Sequence, residues 1–309
     1  MGNQTSQSEF VLLGLSDLTD SRIPVFLLIL LIYVATLVGN LLIIFLVASD
    51  FHLHTPMYFF LGNLSVLDIF TPSVSASHLS FSICTGNRLI SYPTCITQVF
   101  LFTWFASTES SILTAMSYDR YVAICHPLRY TTMINIQLCV RIALFFWIFR
   151  FVCCFIHTLC ALRMAFPDHT TIPGLFCELY QLIQLSYSDP FLNYLLLYFE
   201  SVSIGVTSFL ITFLSYVYIF KTILKITLKD GRRKAYSTCS SHLVVVFIFY
   251  GAGLFNYFQL QTKNFLAGRM ISVFYTVITP LLNPIIYSLR NNDLKGALRK
   301  VLSRIGSTL

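Results

Sequence analysis

Asp68 and Glu109 each stand midway along an extended apolar run. An ionisable group surrounded by hydrocarbon is costly to keep there and marks a working position by default. Neither has a fixed cation beside it in sequence. Two carboxyls at similar depth could share one proton or hold a small cation such as sodium, with Asn40 and Asn283 as polar neighbours. A hydrogen-bonded, ion-free carboxyl pair fits the same residues equally well. A second constellation is Asp119-Arg120-Tyr121, where an acid–base pair could lock one helix end to a neighbour and release it on switching. A bare Asp-Arg would be read as an ordinary interfacial charge pair. The third is Arg150 with Glu200, each inside an apolar stretch. Leaving Arg150 unpaired in a bilayer would cost about 3 kcal/mol on insertion scales, so pairing with Glu200 across adjacent helices is expected. The alternatives are an Arg150 that snorkels outward, or a Glu200 that selects polar or amine ligands from within a pocket. An enzyme is not expected: the chain has no Gly-x-Ser-x-Gly, no zinc-ligand spacing and no phosphate loop. His52 and His54 read as part of a short loop rather than a metal site.

These residues must be positioned by membrane helices. Residues 23–49 are 27 in a row without a formal charge, and a helix needs about 20 apolar residues to cross a hydrocarbon layer. About seven such stretches are read, at 24–48, 57–79, 95–126, 138–162, 191–226, 235–261 and 269–289. Charged residues are 11% of the chain and hydrophobic ones 56%, with a mean hydropathy of +0.74; a soluble domain carries about a quarter charged residues. The expected fold is an all-α membrane protein, a seven-transmembrane helix bundle in a single domain over 1–309. It divides into an extracellular N-terminus (1–23), the bundle (24–289) and a cytoplasmic tail (290–309). Within the tail Leu294, Leu298 and Leu302 recur at helical spacing opposite Lys295, Arg299, Lys300 and Arg304, the pattern of a short amphipathic helix lying on an anionic membrane surface. No cleavable signal peptide is expected, because the polar start lacks a basic region followed by an apolar core.

The net charge of +7 is a matter of topology rather than of nucleic-acid binding. Of the 20 Lys and Arg, fourteen fall at the ends assigned to one side of the bundle and five to the other, leaving Arg150 inside a span. Basic loops stay cytoplasmic, so the N-terminus is expected outside, at the plasma membrane. Asn3-Gln4-Thr5 is then a glycosylation acceptor, whereas Asn63-Leu64-Ser65 lies inside a span. Cys95 and Cys177 fall on the same oxidising side, and a disulfide pinning the long 163–190 segment over the bundle mouth is the preferred reading. No internal duplication of the kind that builds transporters is present.

The longer strings around these residues are specific. Gly39-Asn40, Pro56-Met57-Tyr58-Phe59-Phe60-Leu61, Met116 to Cys125 followed by His126-Pro127-Leu128-Arg129-Tyr130, Ser215-Tyr216, Lys234 to His242 and Pro280 to Tyr287 occur in order over nearly the whole chain. In this the chain resembles the olfactory receptors, of the tetrapod-type class, within the rhodopsin-like seven-helix G-protein-coupled receptors. The resemblance implies an activation switch and G-protein coupling surface at Asp119, Arg120, Tyr121, Tyr216, Lys234, Ser237, His242, Asn283, Pro284 and Tyr287. Pro284 removes a backbone bond, and Asn283 is expected to satisfy the gap. It also implies an intramembrane ion or proton site at Asp68 and Glu109 with Asn40, and the disulfide Cys95–Cys177. Two departures stand out: Pro167 and Tyr187 occupy the positions of the family's usual second cysteine pair, and no histidine precedes Cys177.

A volatile ligand needs a small, mostly apolar cavity with few polar anchors. Helical spacing offers Phe102, Thr103, Ala106 and Ser107 on one face of the third span. Facing candidates are Glu200, Ser203 and Ile204, then Tyr250, Gly253, Leu254 and Tyr257, then Tyr275, Thr276 and Thr279. Each alone is as consistent with core packing. The expected function is an odorant receptor that binds a small volatile in the outer half of the bundle. It would activate a heterotrimeric G protein of the olfactory stimulatory type and raise cyclic AMP, with membrane lipid as its other partner. No cofactor is expected beyond the sodium ion named above. A rhodopsin-like receptor for a peptide or amine is the rival, and a decayed, non-signalling copy the other.

Overall fold

Backbone amides in hydrocarbon must bond within their own segment, and the apolar runs are helical in the computed structural model, which describes residues 9–13, 22–167, 170–227, 236, 239–253 and 272–306. Asn3, Lys234, Ser237, Leu254 and Tyr257 lie outside the described residues. Helix α1 spans Arg22–Ser49, α2 Pro56–Thr85, α3 Tyr92–Cys125 and α4 Ile136–Ala161. Helix α5 runs Phe191–Lys225 with a π-helical insert at Ser201–Val206, and α6 covers Cys239–Gly253. Helix α7 consists of π-helical Phe274–Ile278 followed by Thr279–Arg290, and α8 is Asn292–Gly306.

Local chemistry sets several of these ends. Pro56 opens α2 where its missing N–H has no partner to lose. Gly86 closes α2 at φ 71°, a left-handed cap that a side chain would resist. Ser91 and Asn135 cap α3 and α4, accepting from the amides of Thr94 and Leu138 at 3.3 and 2.9 Å.

Four described helices are long and apolar enough to cross a membrane: Ile23–Ser49, Pro56–Thr85, Ile136–Ala161 and Phe191–Lys225. Their outward surface is apolar. On α1 Leu27, Leu31, Val38 and Phe45 are exposed while Thr36 and Asn40 are buried, an arrangement suited to hydrocarbon rather than water. Helix α3 is 34 residues long, and its buried face carries Thr108, Glu109, Ser111, Thr114, Ser117, Asp119 and Arg120. It can hold that polar face because α2, α4 and α5 all pack around it. Helix α1 packs on α2 and α7, and α7 on α2. The main core runs through Ile43, Leu64, Leu67, Ile112, Leu113, Met116 and Tyr287.

Helix α8 lies against the same core, with Leu294 and Ala297 buried while Arg299 and Lys300 are exposed. Lys300 reaches Asp50 at 3.0 Å, and the Tyr58 hydroxyl meets Asn291 and Asp293 at 2.9 Å each. The backbone N–H of His52 and the Lys300 ammonium hold the Asp50 carboxyl down to about 2.

At the opposite end a three-stranded sheet was not anticipated from sequence. Strand β1 (Glu9–Leu12) is central, antiparallel to β2 (Leu89–Ser91) and parallel to β3 (Thr171–Ile172), with Phe10 opposite Ile90 and Val11 opposite Thr171. Phe10 and Leu12 are fully buried beneath it. A four-residue run carries too little periodicity to be read as a strand, and its partners arrive only through distant loops.

Candidate functional site

The lid end is built around Cys177. The disulfide Cys95–Cys177 joins α3 to the segment between α4 and α5 across 82 residues of sequence. Gln98, one turn along α3 from Cys95, accepts from the Cys177 amide at 2.9 Å and donates to the Val74 carbonyl at 2.9 Å. A single side chain therefore ties the lid, α3 and α2 together. Phe176, buried beside the disulfide, packs its ring 4.7 Å from Phe102, which meets Tyr275 of α7 at 6.3 Å; Tyr275 meets Phe249 of α6 at 5.9 Å. Sequence spacing placed Phe102 and Tyr275 on facing surfaces, and the fold joins them through an aromatic chain that the lid completes. The Glu178 carboxyl is pushed up to about 7 by burial, against hydrogen bonds from Ser272, at 3.4 Å, and Gln181.

The remaining ligand candidates divide. Thr276 and Thr279 are buried with their hydroxyls bonded to the Ser272 and Phe274 carbonyls at 2.7 and 3.2 Å. Thr103, Ala106 and Ile204 are half-buried. Ser107 bonds the Trp104 carbonyl at 3.2 Å and lies 3.8 Å from the Cys154 sulfur. Ser203 is exposed and donates to the carbonyl of Phe199 on its own helix, and Gly253 is exposed at the end of α6. A separate groove of about 580 Å³, lined by Ile44, Val47, Phe59, Val66 and Ile136, contains none of these candidates.

Between the two ends, α3, α4 and α5 meet at Arg150. This residue is 3% exposed, so it does not snorkel outward. Its Nε and Nη2 donate to the Ser111 hydroxyl at 3.0 and 2.7 Å, and its Nη1 stands 3.9 Å from Glu200 Oε1. Glu200 Oε2 is held at 2.8 Å by His157 Nε2. Sequence reasoning paired Arg150 with Glu200 but missed Ser111 and His157. His157 follows Arg150 by seven residues, two helical turns, and that spacing was the available signal.

The carboxyls Asp68 and Glu109 are both buried, at 1% and 3% exposure. Asn283 Nδ2 donates to both oxygens of Asp68 at 3.0 Å. The expectation that Asn283 fills the backbone gap left by Pro284 is therefore wrong. That gap is the carbonyl of Pro280, four residues earlier, and Asn40 of α1 fills it with its Nδ2 at 3.2 Å while also bonding the Thr36 carbonyl at 3.0 Å. Asn283 is drawn away because the Asp68 carboxyl offers its amide two oxygens at equal distance. Gly39 permits the approach: a Cβ there would sit 3.1 Å from the Pro284 ring.

At the far end Arg120 forks onto Asp119 beside it on α3, and Asp119 also accepts from the Tyr130 hydroxyl at 2.8 Å. The lock expected between helices thus runs to the turn after α3. Tyr216 of α5 meets His242 of α6 through a 2.5 Å hydrogen bond, and the pair sits in a cluster with Ile219, Ile223 and Cys239. Tyr121 bonds His126 at 3.1 Å. Tyr287 is fully buried, its hydroxyl without a partner among the described residues.

The olfactory receptor family model matches residues 29–305. Human olfactory receptor 7C1 is 44% identical over 304 residues, covering 98% of this chain and 95% of the relative. Rat olfactory receptor 1f45 is 44% identical over 303 residues, covering 97% and 96%. The dog olfactory receptor-like protein OLF4 is 44% identical over 297 residues, covering 96% of each. With four apolar helices of membrane-crossing length and a match along nearly all of its residues, the chain is a membrane protein, a receptor rather than an enzyme, and belongs to the olfactory receptor family.

Proposed function

We propose that this protein is an odorant receptor of the plasma membrane, crossing it as a seven-helix bundle with its N-terminus outside and Asn3 glycosylated. A small volatile would bind beneath the lid, among Phe102, Tyr275 and the neighbouring candidates of α3, α5, α6 and α7. The observation that carries this reading is Phe176, seated on Phe102 directly beside the Cys95–Cys177 bridge. It sets an apolar aromatic wall between the lid and α3, the kind of lining a small volatile ligand needs.

Agonist binding shifts the receptor only by its differential affinity for the two states. Contraction around the ligand would move α6, break the Tyr216–His242 contact and free Arg120 for the α subunit of a stimulatory G protein, raising cyclic AMP. Asp68, Glu109 and Asn40 form the candidate ion or proton site. The buried Asn40 Oδ1 lacks a partner among the described residues, and carboxyl and amide oxygens suit a hard cation such as sodium. A dependence of agonist potency on sodium, lost in Asp68→Asn, would separate an ion from a shared proton.

The test is a volatile screen in cells that traffic the receptor, with cyclic AMP as readout. An agonist should signal through the wild type and fail through Arg120→Ala at equal surface expression. Silence to every volatile, with the receptor at the surface, would defeat the reading. An epitope placed before Arg22 should be reachable on intact cells.

A further inference from the structure

The contact between Arg150 and Glu200 is not a finished salt bridge. A hydrogen-bonded charge pair closes to about 2.8 Å, whereas here Nη1 and Oε1 stand 3.9 Å apart. Arg150 is 97% buried by its 3% exposure, yet Nη1 has no hydrogen-bond partner among the described residues. Two more polar atoms nearby are left likewise among the described residues: the hydroxyl of Tyr250 on α6, which lies within electrostatic range of Arg150, and Nδ1 of His157, which shares Glu200 with it. Buried polar groups are nearly always satisfied, so a cluster of exceptions calls for an explanation. A structural pair would be expected to close, because a buried ion pair holds only when its geometry is good. The π-helical insert Ser201–Val206 begins immediately after Glu200, and such inserts gather at functional sites. Glu200 is also the member that remains accessible, its side chain 15% exposed.

Resting on the odorant-receptor reading above, we propose that Arg150, Tyr250 and Glu200 form a polar subsite that binds a small molecule through a hydrogen-bond-accepting oxygen, a carbonyl or a carboxylate. The unused valences decide the class. Arg150 Nη1 can only donate, and the Tyr250 hydroxyl can donate alongside it. Glu200, the group an amine would seek, is already held through Oε2 by His157 and faces the Arg150 charge. An ammonium would have to approach that guanidinium. An oxygen acceptor instead completes Arg150 and Tyr250 together, while Ser111 fixes the guanidinium plane from behind.

The test is a dose–response series with octanal, octanoic acid, octylamine and octane on wild type, Arg150→Lys and Tyr250→Phe, with surface expression measured in parallel. Octanal or octanoic acid should be the most potent, and their relative potency distinguishes carbonyl from carboxylate. Both variants should raise the half-maximal concentration of the oxygenated agonist about tenfold, the usual effect of one lost hydrogen bond of about 1.4 kcal/mol. Tyr250→Phe removes only an oxygen with no partner to lose, so it keeps the test independent of any folding defect in Arg150→Lys. Octylamine as the best agonist, or unchanged potency of the oxygenated agonist in Tyr250→Phe, would overturn the proposal. If all four probes fail and another volatile signals, the proposal falls and the receptor reading stands. Silence to all volatiles would remove both.

Discussion

Asn40 is expected to act as a substitute for the backbone hydrogen bond that Pro284 cannot make. In an ordinary helix the amide of residue 284 would bond the carbonyl of residue 280; proline has no N–H to offer. The Asn40 amide occupies that place at 3.2 Å, crossing from α1 to α7. Asn40→Ala leaves the Pro280 carbonyl buried and unpaired, which costs about 1–3 kcal/mol. At about 2–4 °C per kcal/mol the apparent melting temperature should fall by several degrees. Pro284→Ala restores the amide, so the same Asn40→Ala change on that background should cost much less. A double-mutant cycle should therefore show a coupling of about 1 kcal/mol or more. Thermal unfolding in detergent can be followed with a thiol-reactive dye, because Cys139, Cys154 and Cys239 are free and buried in the folded protein. Additivity of the two changes within about 0.5 kcal/mol would show that Asn40 does not serve the proline gap, and the account of the α1–α7 junction would have to be abandoned.

Three further outcomes are expected. Gly39→Ala should also destabilise the protein, by about 1–3 kcal/mol as overpacking usually does, and Pro284→Ala should rescue it, since the crowded atoms are those of the proline ring; melting temperatures of the single and double variants measure this. Replacing Cys95 by Ser should cost about 2–5 kcal/mol and should raise the half-maximal concentration of any agonist found, because the lid loses its anchor; a dose–response curve at matched surface expression checks it. For Glu178, whose carboxyl is raised from the ordinary 4.5 to about 7, the folded state holds the proton more tightly than the unfolded one. Its contribution is therefore complete below about pH 4.5 and is lost as pH rises through about 7. The melting-temperature difference between wild type and Glu178→Gln should accordingly shift against the wild type from pH 5 to pH 8, and a difference constant with pH would refute the assignment.

What the residue string determined by itself was everything governed by composition and period. Uncharged runs of membrane length, a basic bias at alternate ends and strings such as Met116 to Cys125 depend only on local order, so helices and family were legible. The disulfide partners were legible too, since Cys95 and Cys177 were assigned to the same oxidising side and the family resemblance implied the pair. What only the tertiary structure decided was partnership between elements far apart in sequence. Asn40 and Asn283 are chemically alike, and which of them met Pro280 and which met Asp68 depended on the packing of α1 and α2 against α7. Arg150 and Glu200 could be suspected as a pair, but Ser111 and His157 entered through the crossing of α3, α4 and α5. Strand β1 was invisible because four residues hold no period, and its hydrogen bonds exist only once the loops carrying β2 and β3 are brought beside it. Hydrogen bonds and ion pairs are decided by ångströms between atoms, a scale on which spacing along the chain is silent.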